Sequence, residues 1–310
     1  MTIRIGTRGS ALALAQAGTV AAALRDASGT DVELVTIASE GDVRTDSLSR
    51  IGGRGVFAGA LRRALAVGRC DLVVHSLKDL PTAPELGLAL AAVPRREDAR
   101  DVLCARDGLT LAELPAGARV GTGSPRRIAQ LHAARPDLEV VDTRGNVDTR
   151  LGFVEQGRLD AVVLAGAGVK RLGRDAAITD LLPLDSWPTA PGQGALALEV
   201  RDSDLAGSAL VTAARQLADS DAEAAVAAER QVLRGLEAGC TAPIAASSSI
   251  ADGVLTMWAA VYRPDGTESA LRRVEQRLDG EDAPLQAGRR LVSELLAAGA
   301  ADLAPLGVSA

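Results

Sequence analysis

DLVVHSLKDLP, residues 71–81, reads as a buried strand that runs into a charged, hydrogen-bonding cluster and is stopped by proline. Leu72, Val73 and Val74 show no polar alternation, which suits a strand covered on both faces, as in a parallel sheet. A helical pattern near 57–68 leads into it. Working back, IRIGT (3–7) precedes a helix from about Ser10 to Ala27, and VELVTIA (32–38) follows. After Pro94 a second series starts: DVLCA (101–105), ARVGTG (118–123), a helix at 126–135, LEVVDT (138–143), a helix at 147–156 and DAVVLAG (160–166). Such alternation predicts α/β domains with mostly parallel sheets, whose ligands lie beyond the carboxyl ends of the strands.

ALALEVR (195–201) is a further strand, expected to return to the first domain. From Asp219 the pattern changes to an Ala-rich helix (221–236), β-like stretches with turn signals at 264–266 and 279–284, and a final amphipathic helix over about 285–298. The expected division is residues 1–94 plus 195–215, residues 95–194, and a small α+β domain at 216–310.

Composition narrows the function classes. Of 310 residues, 47% are hydrophobic and only 2% aromatic, so the cores are built from Ala, Val, Leu and Ile. No window approaches the roughly 20 apolar residues of a membrane span, and the start MTIRIGTRGS has no apolar segment behind a basic head, so neither membrane nor secretion is expected. Cys70, Cys104 and Cys240 are odd in number and far apart, which points to a reducing cytoplasm rather than a disulfide framework. His75 and His132, with no cysteine cluster beside them, do not make a zinc site, and no metal is expected. A net charge of -6 argues against nucleic acid. Only Lys78 and Lys170 are lysines, so 32 of the 34 basic residues are arginines, many of them beside Gly, Ser and Thr at predicted strand ends. A guanidinium fork grips carboxylates bidentately, whereas GC-rich coding, which favours Arg over Lys, accounts for most of the excess but not for its placement at strand ends.

Individual residues allow more than one reading. Asp79 is equally a turn former or a carboxylate set in a cleft beside Lys78 and Ser76. Cys240 is a small buried hydrophobe or a reactive thiol on a loop held by Pro243. Gly121 and Gly123 hint at a dinucleotide fingerprint, but Arg126 stands at its third glycine position.

Taken together, the strings resemble the hydroxymethylbilane synthase (porphobilinogen deaminase) family. His75-Ser76-Leu77-Lys78-Asp79-Leu80-Pro81 is similar to its H-S-[ML]-K-D-[LV]-P signature, and Thr7-Arg8-Gly9-Ser10 with Ala11 to Gln16 to its TRxSxLALxQ motif. Glu40-Gly41-Asp42 and Ile51 to Phe57 resemble the loop over its active site. Gly121-Thr122-Gly123-Ser124-Pro125-Arg126-Arg127 resembles its TSSxRR turn, and Arg144-Gly145-Asn146-Val147-Asp148-Thr149-Arg150 its RGNVxTR motif. Ala165 to Gly173, Pro191 to Ala195, and Leu236 to Ile244 around Cys240 complete the series with Glu229-Arg230.

The resemblance implies two α/β domains of periplasmic-binding-protein type forming a cleft, plus the small third domain. It implies stepwise deaminating condensation of four porphobilinogens on a dipyrromethane cofactor bound by a thioether to Cys240, then hydrolysis of the linear tetrapyrrole. Asp79 would be catalytic. Ser76, Lys78, Thr122, Ser124, Arg126, Arg127, Arg144 and Gly145 would join Asp79 and Cys240 in holding the cofactor. Arg8, Ser10, Asp42, Arg50, Arg54, Phe57, Arg150, Arg171 and Arg230 would bind substrate, and the protein would be a monomer. Arg50 and Arg54 replace lysines usual in the loop, Gly59 and Ala60 a Lys-Glu pair, and Gly123 a serine. The rival is a non-catalytic carboxylate-binding protein of the same fold, which needs neither Asp79 nor a tethered cofactor; nucleotide-dependent enzymes and metal-dependent hydrolases lack their motifs here.

Overall fold

The computed structural model describes residues 2–38, 56–237 and 242–307 of the chain. It divides into two compact units, Met1–Glu97 with Gly194–Ala224, and Asp98–Gln193 with Ala225–Ala310.

In the first unit, β1 (Ile3–Thr7), β2 (Val32–Thr36), β3 (Leu72–Ser76), β4 (Leu88–Ala92) and β10 (Leu196–Arg201) form one sheet in the order β2-β1-β3-β10-β4. β1 runs parallel to both β2 and β3, the arrangement the strand–helix alternation implies. β10 comes from far along the chain and enters antiparallel between β3 and β4, so the sheet is mixed. An apolar run in sequence carries no direction, and both orientations bury it equally well. Ile5, Leu24, Leu72 and Leu198 are completely buried in the core of this layer. Each contributes about 2 kcal/mol through the apolar area it removes from water.

The second unit repeats the pattern with β5 (Asp101–Ala105), β6 (Arg119–Gly121), β7 (Glu139–Val141), β8 (Ala161–Ala165) and β9 (Asp180–Leu181), in the order β7-β6-β8-β5-β9. β6 is parallel to β7 and β8, and β5 is antiparallel to β8 and β9. The same unit contains the C-terminal meander β11 (Ile244–Ala251), β12 (Val254–Tyr262) and β13 (Ser269–Arg277). The helices Ser220–Gly235 and Ala283–Ala297 pack on it around Val232, Leu255, Met257 and Leu291.

Side chains that periodicity cannot pair connect residues of the expected 95–194 and 216–310 segments. Ala129, Ala245, Ala260 and Tyr262 form one buried cluster. Gln130 donates to the Tyr262 hydroxyl at 3.1 Å. Glu229, with no exposed surface, accepts from the Gly192 amide and the Ser248 hydroxyl, each at 2.7 Å.

Candidate functional site

In the first unit, β3 ends at Ser76 and passes into a single 3-10 turn, Leu77–Asp79. Leu77 is buried and anchors the turn, which leaves Lys78 and Asp79 exposed. Ser76 is tied to the long N-terminal helix, because Gln16 donates to its hydroxyl at 3.0 Å. Ser10 is the N-cap of that helix (Ala11–Ser28) and accepts from the Ala13 amide, which satisfies an orphan donor of the first turn. Arg8, Gln16, His75, Ser76 and Asp79 line a cavity of about 40 Å³ together with Ala13, Ala58, Leu61 and Val74.

Behind this cavity sits a charge cluster that the sequence reading missed. Glu199, on β10, is buried and accepts from Arg62 at 2.8 Å and pairs with His75 Nε2 at 3.0 Å. Arg62 also reaches Glu85 at 3.0 Å. Burial pushes the Glu199 carboxyl up, but hydrogen bonds from His75 and Arg62 outweigh it and hold the group below the usual range. A visible signal was present: one acid inside the apolar run LALEVR.

The second unit gathers cations. β6 is followed by the fully buried Thr122, and Ser124 caps the helix Pro125–Ala134, with Pro125 at its start. The turn passes so close to Thr143 that a Cβ at Gly123 would lie 2.7 Å from its carbonyl oxygen, which accounts for glycine where the resemblance has serine. This geometry places Arg126 and Arg127 in the first helical turn, both buried. Asp101, at the start of β5 and without exposed surface, pairs with Arg126 at 2.9 Å and with Arg127 at 2.6 Å. Burial pushes the Asp101 carboxyl up, and the two guanidinium charges more than reverse this, holding it below the usual carboxylate range. Asp101 was not among the expected site residues; at the head of an apolar strand it reads as an ordinary boundary residue.

Arg144 and Gly145 precede the helix Val147–Glu155, which Asn146 caps through the Thr149 amide at 2.8 Å. Gly145 has φ 110° and sits so near Thr149 that a Cβ would lie 2.7 Å from its methyl carbon, so no other residue fits without strain. Arg150 lies one turn into the helix and is half-buried. Its guanidinium is pushed down to about 10 by burial and by the charges of Arg127 and Arg144, with Asp142 opposing. Among the described residues, the buried Nε atoms of Arg127, Arg144 and Arg150 and the hydroxyl of Thr143 have no hydrogen-bond partner. Three guanidiniums, two of which press on Arg150 and each of which has a spare buried donor, fit a ligand that brings carboxylates.

Arg171 ends the helix Gly166–Arg171, half-buried, and Arg230 is half-buried on the helix Ser220–Gly235. Cys240, Asp42, Arg50 and Arg54 lie outside the described residues, as does the side chain of Phe57. Among the described residues no group of three or more His, Cys, Asp or Glu is placed to hold a metal, and no helix is long and apolar enough to cross a membrane.

Residues 3–208 match the family model for porphobilinogen deaminase, dipyrromethane cofactor binding domain, and residues 224–297 match the model for the porphobilinogen deaminase C-terminal domain. The porphobilinogen deaminase of Leifsonia xyli subsp. xyli is 58% identical, with 98% of this chain and 94% of the relative covered. That of Thermobifida fusca is 50% identical, covering 96% of this chain and 94% of its own. Among solved structures, the methionine binding protein MetQ is 13% identical with a TM-score of 0.46, covering 71% of this chain and 91% of that one.

Proposed function

The chain belongs to the porphobilinogen deaminase family, and we infer that it condenses four porphobilinogens head to tail with release of ammonia, then frees the linear tetrapyrrole hydroxymethylbilane by hydrolysis. The reaction is a group transfer, and the cofactor of the family is dipyrromethane. The observation that carries the reading is the set of Arg127, Arg144 and Arg150, whose buried Nε donors lack partners among the described residues. Porphobilinogen and dipyrromethane carry acetate and propionate arms, and such arms are the acceptors those donors require.

When bound, dipyrromethane supplies the free pyrrole carbon onto which the first substrate is added. In this reading Arg126, Arg127 and Arg144 hold its acidic arms and Arg150 meets those of incoming substrate, with Thr122, Ser124 and Gly145 shaping the turns that present them. Arg126 is itself held in place through its Nη1, which is shared among Asp101, Gln130 and the Pro188 carbonyl. Ser76, Lys78 and Asp79 are further cofactor-binding residues in this reading, and Cys240 is the thioether attachment point. Arg8, Ser10, Arg171, Arg230 and the segment holding Asp42, Arg50, Arg54 and Phe57 receive incoming substrate.

Asp79 is the proposed catalytic residue. As ammonia leaves, positive charge develops on the substrate pyrrole, and a carboxylate fixed at the end of a short 3-10 turn stabilises it without reorganising. The same carboxylate accepts the proton lost from the ring carbon when the new bond forms. We place the enzyme in the cytoplasm as a monomer; the buried free thiols of Cys70 and Cys104 suit a reducing compartment.

Intact mass with peptide mapping tests the reading. The purified protein is expected to carry the mass of two linked pyrroles on Cys240, and Cys240→Ser to lack it. An unmodified wild-type mass, unchanged after incubation with porphobilinogen, would leave a non-catalytic carboxylate binder as the better account.

A further inference from the structure

We propose that Asp101 is a positioning residue for the arginine pair, setting which guanidinium donors of Arg126 and Arg127 are left for the acidic ligand. This rests on the assignment of those arginines to ligand binding. Asp101 has no exposed surface, so it touches no ligand itself. Among the described residues it accepts from four side chains drawn from three parts of the unit: Arg126 Nη1 at 2.9 Å, Arg127 Nη2 at 2.6 Å, Trp187 Nε1 at 3.1 Å and Gln193 Nε2 at 2.8 Å. Both carboxylate oxygens are engaged twice, which fixes the carboxylate plane and, through it, both guanidinium planes.

The consequence for Arg127 is specific. Its Nη1 donates to the Val163 carbonyl at 3.2 Å, and its Nη2 to Asp101 and, at 3.5 Å, to Gln193. Among the guanidinium nitrogens, Nε alone is left without a partner among the described residues, on a residue only 6% exposed. Arg127 therefore offers a ligand its Nε–H in a fixed direction. One carboxylate shared by two guanidiniums also leaves one positive charge over, which keeps the pair attractive to an anion. A purely structural aspartate would need only to neutralise charge; a positioning one must also stand at the right distance. Those two roles separate on substitution.

Asp101→Glu is the discriminating variant, because it keeps the charge and moves the carboxylate by one methylene. It is made in a Trp258→Phe background, which leaves Trp187 as the sole tryptophan and the donor to Asp101 as the reporter. The expected result is a folded protein by circular dichroism, a shifted Trp187 emission, a reduced fraction carrying the pyrrole mass increment, and a KM raised roughly tenfold in the loaded fraction with kcat less affected. Full loading with an unchanged KM overturns the proposal, since charge neutralisation alone would then suffice. Should Asp101→Glu not fold, Trp187→Phe carries the test: it removes one of the four donors without altering charge, and a rise in KM supports the proposal while an unchanged KM overturns it. A parent protein that is unloaded and inactive would bring down the functional reading and the proposal with it. A loaded, active parent with an indifferent variant brings down the proposal alone.

Discussion

Glu199 in the first unit sits between Arg62 and His75, with Glu85 beyond Arg62. In the second, Asp101 is shared by Arg126 and Arg127, while Arg127 and Arg144 press on Arg150, and the Nε donors of Arg127, Arg144 and Arg150 meet no acceptor among the described residues. Both are buried charge clusters built on strands of a mixed five-stranded sheet. The first closes on itself: the Glu199 carboxylate is met by Arg62 and His75 within the protein, and the exposed groups beside it are Lys78 and Asp79. The second is left over-positive, and its balance has to come from a ligand. A self-satisfied cluster stiffens the ground on which chemistry is done, whereas an unsatisfied one holds something.

Substitutions can break this comparison. Asp79→Ala is expected to have the largest effect, cutting kcat about a thousandfold or more while the protein stays folded. Near-normal turnover in the purified variant would remove the chemical role from the first unit. Next comes Glu199→Gln, which leaves Arg62 and His75 facing a neutral amide and should cost about 3 kcal/mol of stability, read from urea unfolding. The folded carboxyl of Glu199 lies below its ordinary range, so its stabilisation is complete above the ordinary value of about 4.3 and is lost as pH falls through the lower, folded one. The wild type should therefore lose stability on acidification below that value, and the glutamine variant should lose less over the same window. Equal slopes would mean that Glu199 is not held as described.

The smallest expected effect has the opposite sign. Arg150→Met relieves crowding among three cations, so protein freed of ligand should gain about 1 kcal/mol in unfolding experiments. The same change should raise the KM for porphobilinogen roughly tenfold, because a charge-assisted contact is lost. If Arg150→Met destabilises the free protein, the second cluster is as self-contained as the first and the contrast fails.

Elements with local causes were legible in the sequence. The helix expected over Ser10–Ala27 forms as Ala11–Ser28 with Ser10 as its cap, and the final helix expected at 285–298 forms as Ala283–Ala297. The arginines Arg126, Arg127, Arg144 and Arg150 were found from motif strings, and the turns that place them follow from Ser124, Pro125, Gly145 and Asn146. What sequence could not give was pairing at a distance. Arg62 and Glu199 are 137 positions apart, and no period or cap links them. Asp101 looked like a strand boundary because its partners Trp187 and Gln193 are supplied by a loop far along the chain. The antiparallel entry of β5 and β10 was hidden for a similar reason: a fully buried strand looks alike read in either direction.

The position of β10 also orders events during synthesis. Among the described residues β4 has its sheet neighbour only in β10, and residues 196–201 emerge after every strand of β5 to β9 has been made. The second five-stranded sheet, confined to residues 101–181, can therefore close while the first still lacks its fourth strand. Domains commonly fold in the order they leave the ribosome. Here the sheet that starts first is completed last, and until then β3 and β4 present open edges to whatever binds nascent strands.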